Sequence, residues 1–275
     1  VADSARITVY QVINSRVLPS YERPPVQEVA LGVQFHAQNP IKTTDLAGFW
    51  EAVRERFSVV DDLQPVIEMQ ERQDPRIELL QLPPLRRIRM REPAGELSIQ
   101  LQGNHFITNW VKPSPDATYP RFAKISAEFE TYFTRLREFV ASSALGAITP
   151  TSLELTYVNE LGTADSEFVS RLPQMLKMYT WQSDAEPFLG KPTAVNLMWQ
   201  FPMPLGSGRM LVTLNNARRV DGAAEVLLLI LKCFSPTDGT PSEISGWFAS
   251  AHESIVRTFT ELTTPEAHLY WGRIE

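Results

Sequence analysis

The chain has a single cysteine, Cys233, so no intramolecular disulfide can brace it and a reducing compartment is the expectation. Long hydrophobic runs are missing as well. The longest begins at Val226 and is broken at Lys232, far short of the roughly 20 residues that a membrane helix needs. No basic stretch followed by an apolar run and a small-residue cleavage site opens the sequence, so no secretory signal is expected and the cytoplasm is the default. Positive charge is in deficit: 26 lysines and arginines face 32 aspartates and glutamates, a formal net charge of −6. That balance argues against broad phosphate-backbone binding as the main role, and the acidic excess lies in the second half, so any basic patch belongs to the first.

Catalytic and cofactor motifs are also lacking. The four histidines, His36, His105, His252 and His268, show no His-Glu-x-x-His spacing, and one cysteine cannot build a cysteine-rich zinc site. Gly206-Ser-Gly208 has neither a following Gly-Lys-Ser/Thr nor a helix start behind it, so no phosphate-cradling loop is present. No cofactor and no metal are therefore expected.

What the 275 residues do contain is a globular composition, 43% apolar and 21% charged, and two periodicities. A strand candidate at Ile7 to Val12 and a proline-stiffened lead-in at Tyr21 to Pro25 come first. Val29, Leu31, Val33 and Phe35 then alternate with Glu28, Ala30, Gly32, Gln34 and His36, the pattern of a half-buried strand. Thr43 or Thr44 can cap a helix carrying Leu46, Phe49, Trp50, Val53 and Phe57. Residues 61 to 84, rich in proline, read as irregular connection with one short strand at Ile77 to Leu80, and the adjacent Asp61 and Asp62 as a solvated loop.

Three strands follow, at Leu85 to Arg91, Leu97 to Gln102 and His105 to Trp110, the last two joined by the hairpin signal Gly103-Asn104. A two-residue loop sets Gln102 opposite His105. Leu97, Ile99, Leu101, Phe106, Thr108 and Trp110 then share one face, and Ser98, Gln100, Gln102, His105, Ile107 and Asn109 the other. A long helix carries Phe122, Ile125, Phe129, Phe133, Leu136 and Val140, with Gly146 as its stop.

The second half repeats the order: a strand marked by Leu153, Leu155 and Tyr157, a weaker helix at Phe168 to Met178 interrupted by Pro173, strands at Ala194 to Phe201, Met210 to Asn216 and Ala224 to Phe234, the last two joined across Asp221-Gly222, and a helix from Ile244 to Phe259. The expected fold class is α+β, with a lead-in at 1–25 and duplicated halves at 26–148 and 149–275. Each half reads strand, helix, three-stranded meander, helix. By analogy with TATA-binding-protein-like saddles, the two halves form a mostly antiparallel sheet with helices packed on one face.

Several short strings, in order and spread from Pro24 onward, resemble an uncharacterised, sporadically distributed bacterial family. They are Pro24 to Val29, Asn109-Trp110, Tyr119-Pro120, Tyr157-Val158-Asn159, the C-terminal helix with His252 and Phe259, and Tyr270-Trp271-Gly272. The resemblance implies a bacterial, cytoplasmic protein with no named activity and no catalytic residues to carry over. It marks Glu28, Asn109, Trp110, Tyr157, Asn159 and His252 as positions to watch. Such patchy distribution is seen for accessory genes, defence systems among them.

Three functional readings stand side by side. The favoured one is a non-catalytic binding or adaptor protein that holds a macromolecular partner, a protein, on the polar sheet face of Gln100, Gln102, His105 and Asn109. Gln34 and His36 join that face, and Arg87, Arg89 and Arg91 ring it. The others are an enzyme site built from His252, Glu28, Tyr157 and Asn159 between the halves, and a nucleic-acid surface on Arg86, Arg87, Arg89 and Arg91. Trp110 and Cys233 read as core, and oligomeric state is left open.

Overall fold

The computed structural model describes residues 17–65, 85–163, 166–179, 188, 194–219 and 225–274. The strand candidates at Ile7 to Val12 and Ile77 to Leu80 and the Asp221-Gly222 turn lie outside these residues. The strands are β1 (Val26–Ala37), β2 (Val59–Leu63), β3 (Arg87–Arg91), β4 (Leu97–Gln102), β5 (His105–Val111), β6 (Ile148–Thr163), β7 (Asn196–Pro202), β8 (Arg209–Arg218) and β9 (Glu225–Pro236). The helices are α1 (Thr43–Val53), α2 (Phe122–Ser142), α3 (Ser166–Met175), α4 (Pro241–Leu262) and α5 (Pro265–Tyr270).

The fold is α+β. Its strands form one antiparallel sheet in the order β2-β3-β4-β5-β1-β6-β9-β8-β7. The strands β1 and β6 that open the two halves are neighbours, and β5, β4, β3 on one side and β9, β8, β7 on the other run outwards from them. That is the repeated element order read from the sequence, with β2 and α5 added. Two compact units can be described: Gln27–Tyr157 with Phe234–Phe248, and Val1–Val26 with Val158–Cys233 and Ala249–Glu275.

In the unit of Gln27–Tyr157 the apolar alternation does what it promises. Val29, Leu31, Val33 and Phe35 of β1 are buried together with Leu97, Ile99 and Leu101 of β4 and Phe106 and Trp110 of β5. Helix α2 covers this face, with the Phe106 ring 6.0 Å from Phe129 and 5.6 Å from Phe133. Phe129 also meets Phe248 of α4 edge-on at 4.9 Å. Side chains of 150–250 Å² buried this way dominate core energetics. Gly146 follows α2 at φ 83°, and a Cβ there would run into the Gln38 side chain, so both backbone conformation and space require glycine.

Two local expectations are corrected. Helix α1 is capped at Lys42, whose N–H donates to Asp45 Oδ2 at 2.7 Å, rather than by a threonine. Residues 61–63 belong to β2, which pairs antiparallel with β3. Just past α1, Arg56 donates to Glu92, to both oxygens of Glu128 and to the Tyr132 hydroxyl at 2.5–3.0 Å. It thus ties the end of α1 to the β3–β4 turn and to α2. Because Arg56 is 42% exposed, solvent screening discounts the ion pairs. Arg56→Ala is expected to cost about 1.5 kcal/mol in a urea melt, and a loss under about 0.3 kcal/mol would show the cluster to be surface decoration.

In the other unit α4 lies on β9, where Cys233 Sγ is 3.9 Å from the Ala251 carbonyl. Burial pushes the Cys233 thiol up to about 12, so it is inert at neutral pH. Tyr21 packs edge-on against Phe259 and Trp271 and hydrogen-bonds Thr260 at 2.8 Å. The short α5 is started by Thr264, whose hydroxyl accepts from Ala267 N–H, with Pro265 in its first turn.

Candidate binding face

The β4–β5 register is the predicted one, from Leu97 opposite Trp110 to Gln102 opposite His105. The face turned away from α2 can therefore be built strand by strand. Asp61 of β2 stands opposite Arg89 of β3, Arg89 opposite Gln100 of β4, Gln100 opposite Ile107 of β5, and Ile107 opposite Gly32 of β1. Arg87 and Arg91 flank Arg89 at the two-residue period of the strand. Glu154 of β6 lies against Gly32, where a Cβ would come within 2.6 Å of its Cγ. Gly32 is thus the residue that lets Glu154 lie over β1.

Polar as it is, this face is not open to solvent. Gln100, Gln102, His105 and Asn109 are only 8, 5, 4 and 5% exposed. Burial forces such groups to find partners, and some have. Gln100 Nε2 donates to Asn109 Oδ1 at 2.7 Å, and Asn109 Nδ2 donates to Glu28, so an amide relay links β4, β5 and β1. Asn109 thus bonds side chains on both sides. Burial pushes the Glu28 carboxyl up, against the pull of Asn109 and of the Arg89 charge.

The arginines divide into two kinds. Arg89 and Arg91 both donate to a single oxygen of Asp61, at 2.8–3.2 Å, and these bonds hold the Asp61 carboxyl below its ordinary range. Arg86 stands 3.7 Å from Asp62. Arg87 has no ion pair among the described residues, and its Nε is buried without a partner. Burial and the neighbouring Arg89 charge lower its pKa, while Glu154 raises it. Two more buried atoms on this face lack hydrogen-bond partners among the described residues, Gln100 Oε1 and His105 Nε2. His105 Nε2 is 3.2 Å from Glu154 Oε1, without hydrogen-bond alignment.

The remaining positions lie elsewhere. Tyr157 is buried and its hydroxyl is 3.0 Å from that of Tyr119, whose ring meets Trp110 at 5.4 Å. Burial raises both phenols, Tyr119 to about 12. Trp110 is core, 2% exposed, with Nε1 donating to Glu96. Asn159 donates to the Leu229 carbonyl at 3.1 Å, a backbone role. His252 is half-buried on α4, and desolvation pushes it down to about 4. Glu28 and Tyr157 belong to one unit and Asn159 and His252 to the other, and none of these bonds joins two of the four. Sequence reading missed Asp61, Gly32 and Glu154. The alternation of Leu153, Leu155 and Tyr157 places Glu154 on the opposite, polar face, and that signal was available.

No family model matches this sequence, and no curated protein matches it. Among solved structures, TBP of Methanococcus jannaschii is similar at 12% identity, covering 86% of this chain and 98% of that one, with a TM-score of 0.24. Among the described residues no helix is long and apolar enough to cross a membrane, and no group of three or more His, Cys, Asp or Glu is placed to hold a metal.

Proposed function

We propose that the protein is a non-catalytic binding or adaptor protein that holds a macromolecular partner, another protein, on the polar face of β3, β4 and β5. The observation that carries this reading is the gathering of guanidinium, amide and imidazole side chains on adjacent strands of one face: Arg87 and Arg89 on β3, Gln100 and Gln102 on β4, His105 and Asn109 on β5. The amides and His105 are buried, and the arginines at their border are half-buried, so the partner meets this face at Arg87, Arg89 and Arg91. The nucleic-acid reading has less support, because Asp61 engages Arg89 and Arg91 and Asp62 stands near Arg86. The accessory-system role implied by the family resemblance belongs to this reading and rests on that resemblance alone.

The test is affinity capture of the tagged chain from its native host, with and without nuclease, beside Arg87→Gln. The proposal expects a stoichiometric protein that survives nuclease and is lost with Arg87→Gln while the thermal midpoint holds. Recovery of the chain alone, or capture unaffected by the variant, would count against it.

A further inference from the structure

The two ends of the sheet are built differently. At one end β2 carries Asp61 and Asp62, and charge on an edge strand discourages the addition of another. At the other end β7, from Asn196 to Pro202, has no charged residue and pairs only with β8 among the described residues. Leu197, Trp199 and Phe201 stand opposite the fully buried Leu214, Val212 and Met210 and share their core face, yet all three are only half-buried. Met198, on the other face, is 71% exposed. Met203 N–H donates to the Gly208 carbonyl at 3.0 Å and Val195 N–H to the Asn216 side chain at 2.9 Å, so the odd-numbered residues turn their backbone groups towards β8. Backbone direction alternates along an antiparallel pair, so the N–H and C=O groups of Asn196, Met198 and Gln200 point outward from the sheet. Pro202, which has no N–H, falls in the outward set too, where the missing donor disturbs no bond to β8.

We propose that β7 is the pairing edge of a two-fold dimer, its occupant the β7 of a second copy of this chain. A strand that adds antiparallel bonds to the outward residues alone, so even-numbered residues face even-numbered ones. Centring the two-fold axis on Trp199 satisfies this over the whole strand. Met198 and the second copy's Gln200 exchange both backbone bonds, and Asn196 N–H meets the second copy's Pro202 carbonyl. The proline removes only the terminal bond that it cannot donate. On the core face Trp199 lies against its symmetry mate and Leu197 against the second copy's Phe201, cross-strand pairs of the kind that stabilise sheets. The half-buried row is thus covered by the same row of the other copy. An edge carrying charge of one sign, as β2 does, would bring like charges together under a two-fold axis, and β7 carries none. One pair of seven-residue strands is a small interface, so the dimer is expected to dissociate at about 10–100 µM.

The experiment is sedimentation velocity on the full chain over concentrations from about 1 to about 300 µM, a range that brackets the expected dissociation constant. The weight-average sedimentation coefficient should rise from the monomer's value towards the dimer's. Met198→Lys combined with Gln200→Lys, both at exposed positions, should keep the chain monomeric with an unchanged thermal midpoint, because the two-fold register then sets lysine opposite lysine. Met198→Glu combined with Gln200→Glu should do the same. Mixing the two double variants should restore the dimer, since each introduced lysine then faces a glutamate, and a misfolded variant would not be restored in this way. A wild-type chain that stays monomeric at the highest concentration would overturn the inference. So would a dimer that both double variants leave intact, or variants that remain monomeric when mixed.

Discussion

Asn109→Ala is expected to destabilise the protein by roughly 3 kcal/mol at neutral pH, more than an ordinary amide deletion. The amide accepts from Gln100 and donates to Glu28, so alanine strands a carboxylate and a second amide at once. Hydrogen bonds to charged groups contribute about 1.5–3 kcal/mol, and a buried group left unsatisfied adds its desolvation cost. Glu28 is held above the usual carboxylate range by burial, so its ionisation opposes folding as pH rises. Losing Asn109, which pulls that pKa down, widens the penalty. The variant should therefore recover part of its loss when the medium is acidified enough to protonate Glu28. Glu28→Gln in the Asn109→Ala background should recover at least about 1 kcal/mol, the coupling expected within one network. Urea melts at two pH values would decide it. A loss below about 1 kcal/mol, or strict additivity of the two changes, would show the relay to be without energetic weight.

The second large effect is acid sensitivity centred on His252. Desolvation on α4 lowers its pKa to about 4, against about 6.5 in an unfolded chain. Between those values the unfolded state binds a proton that the native state does not, so stability rises with pH across the window. The contribution is fully present above about pH 6.5 and is lost as pH falls through about 4, reaching roughly 3 kcal/mol. His268, also lowered by burial, adds in the same direction, while Glu28 opposes. His252→Gln should flatten the dependence of the denaturation midpoint between pH 7 and pH 4. An unchanged slope in the variant would assign the acid sensitivity elsewhere.

Much of the architecture was legible because its signals are local. Gly103-Asn104 set the β4–β5 register to the residue, and the 3.6-residue period placed Phe129 and Phe133 on the buried stripe of α2. The strand β2 was not legible. Its two adjacent aspartates read as loop, and what makes them strand residues is non-local: Arg89 and Arg91 accommodate Asp61 across the ladder. The short α5 was missed although Thr264-Pro265 is a helix-start signal.

The candidate site was half visible. Alternation put Gln100, His105 and Asn109 on one face with Arg87, but alternation cannot tell a solvated polar face from a buried one. Nor could it bring His105 to Glu154, which comes from β6. That neighbourhood depends on the sheet order, and on Gly32 leaving room for the carboxylate.

The central claim is that the polar face is a seat for a partner protein, and calorimetric titration of the purified captured partner tests it most directly. Arg87→Gln should weaken binding at least tenfold, about 1.4 kcal/mol, without moving the thermal midpoint. An unchanged dissociation constant for this variant would place the partner elsewhere on the protein and contradict the account.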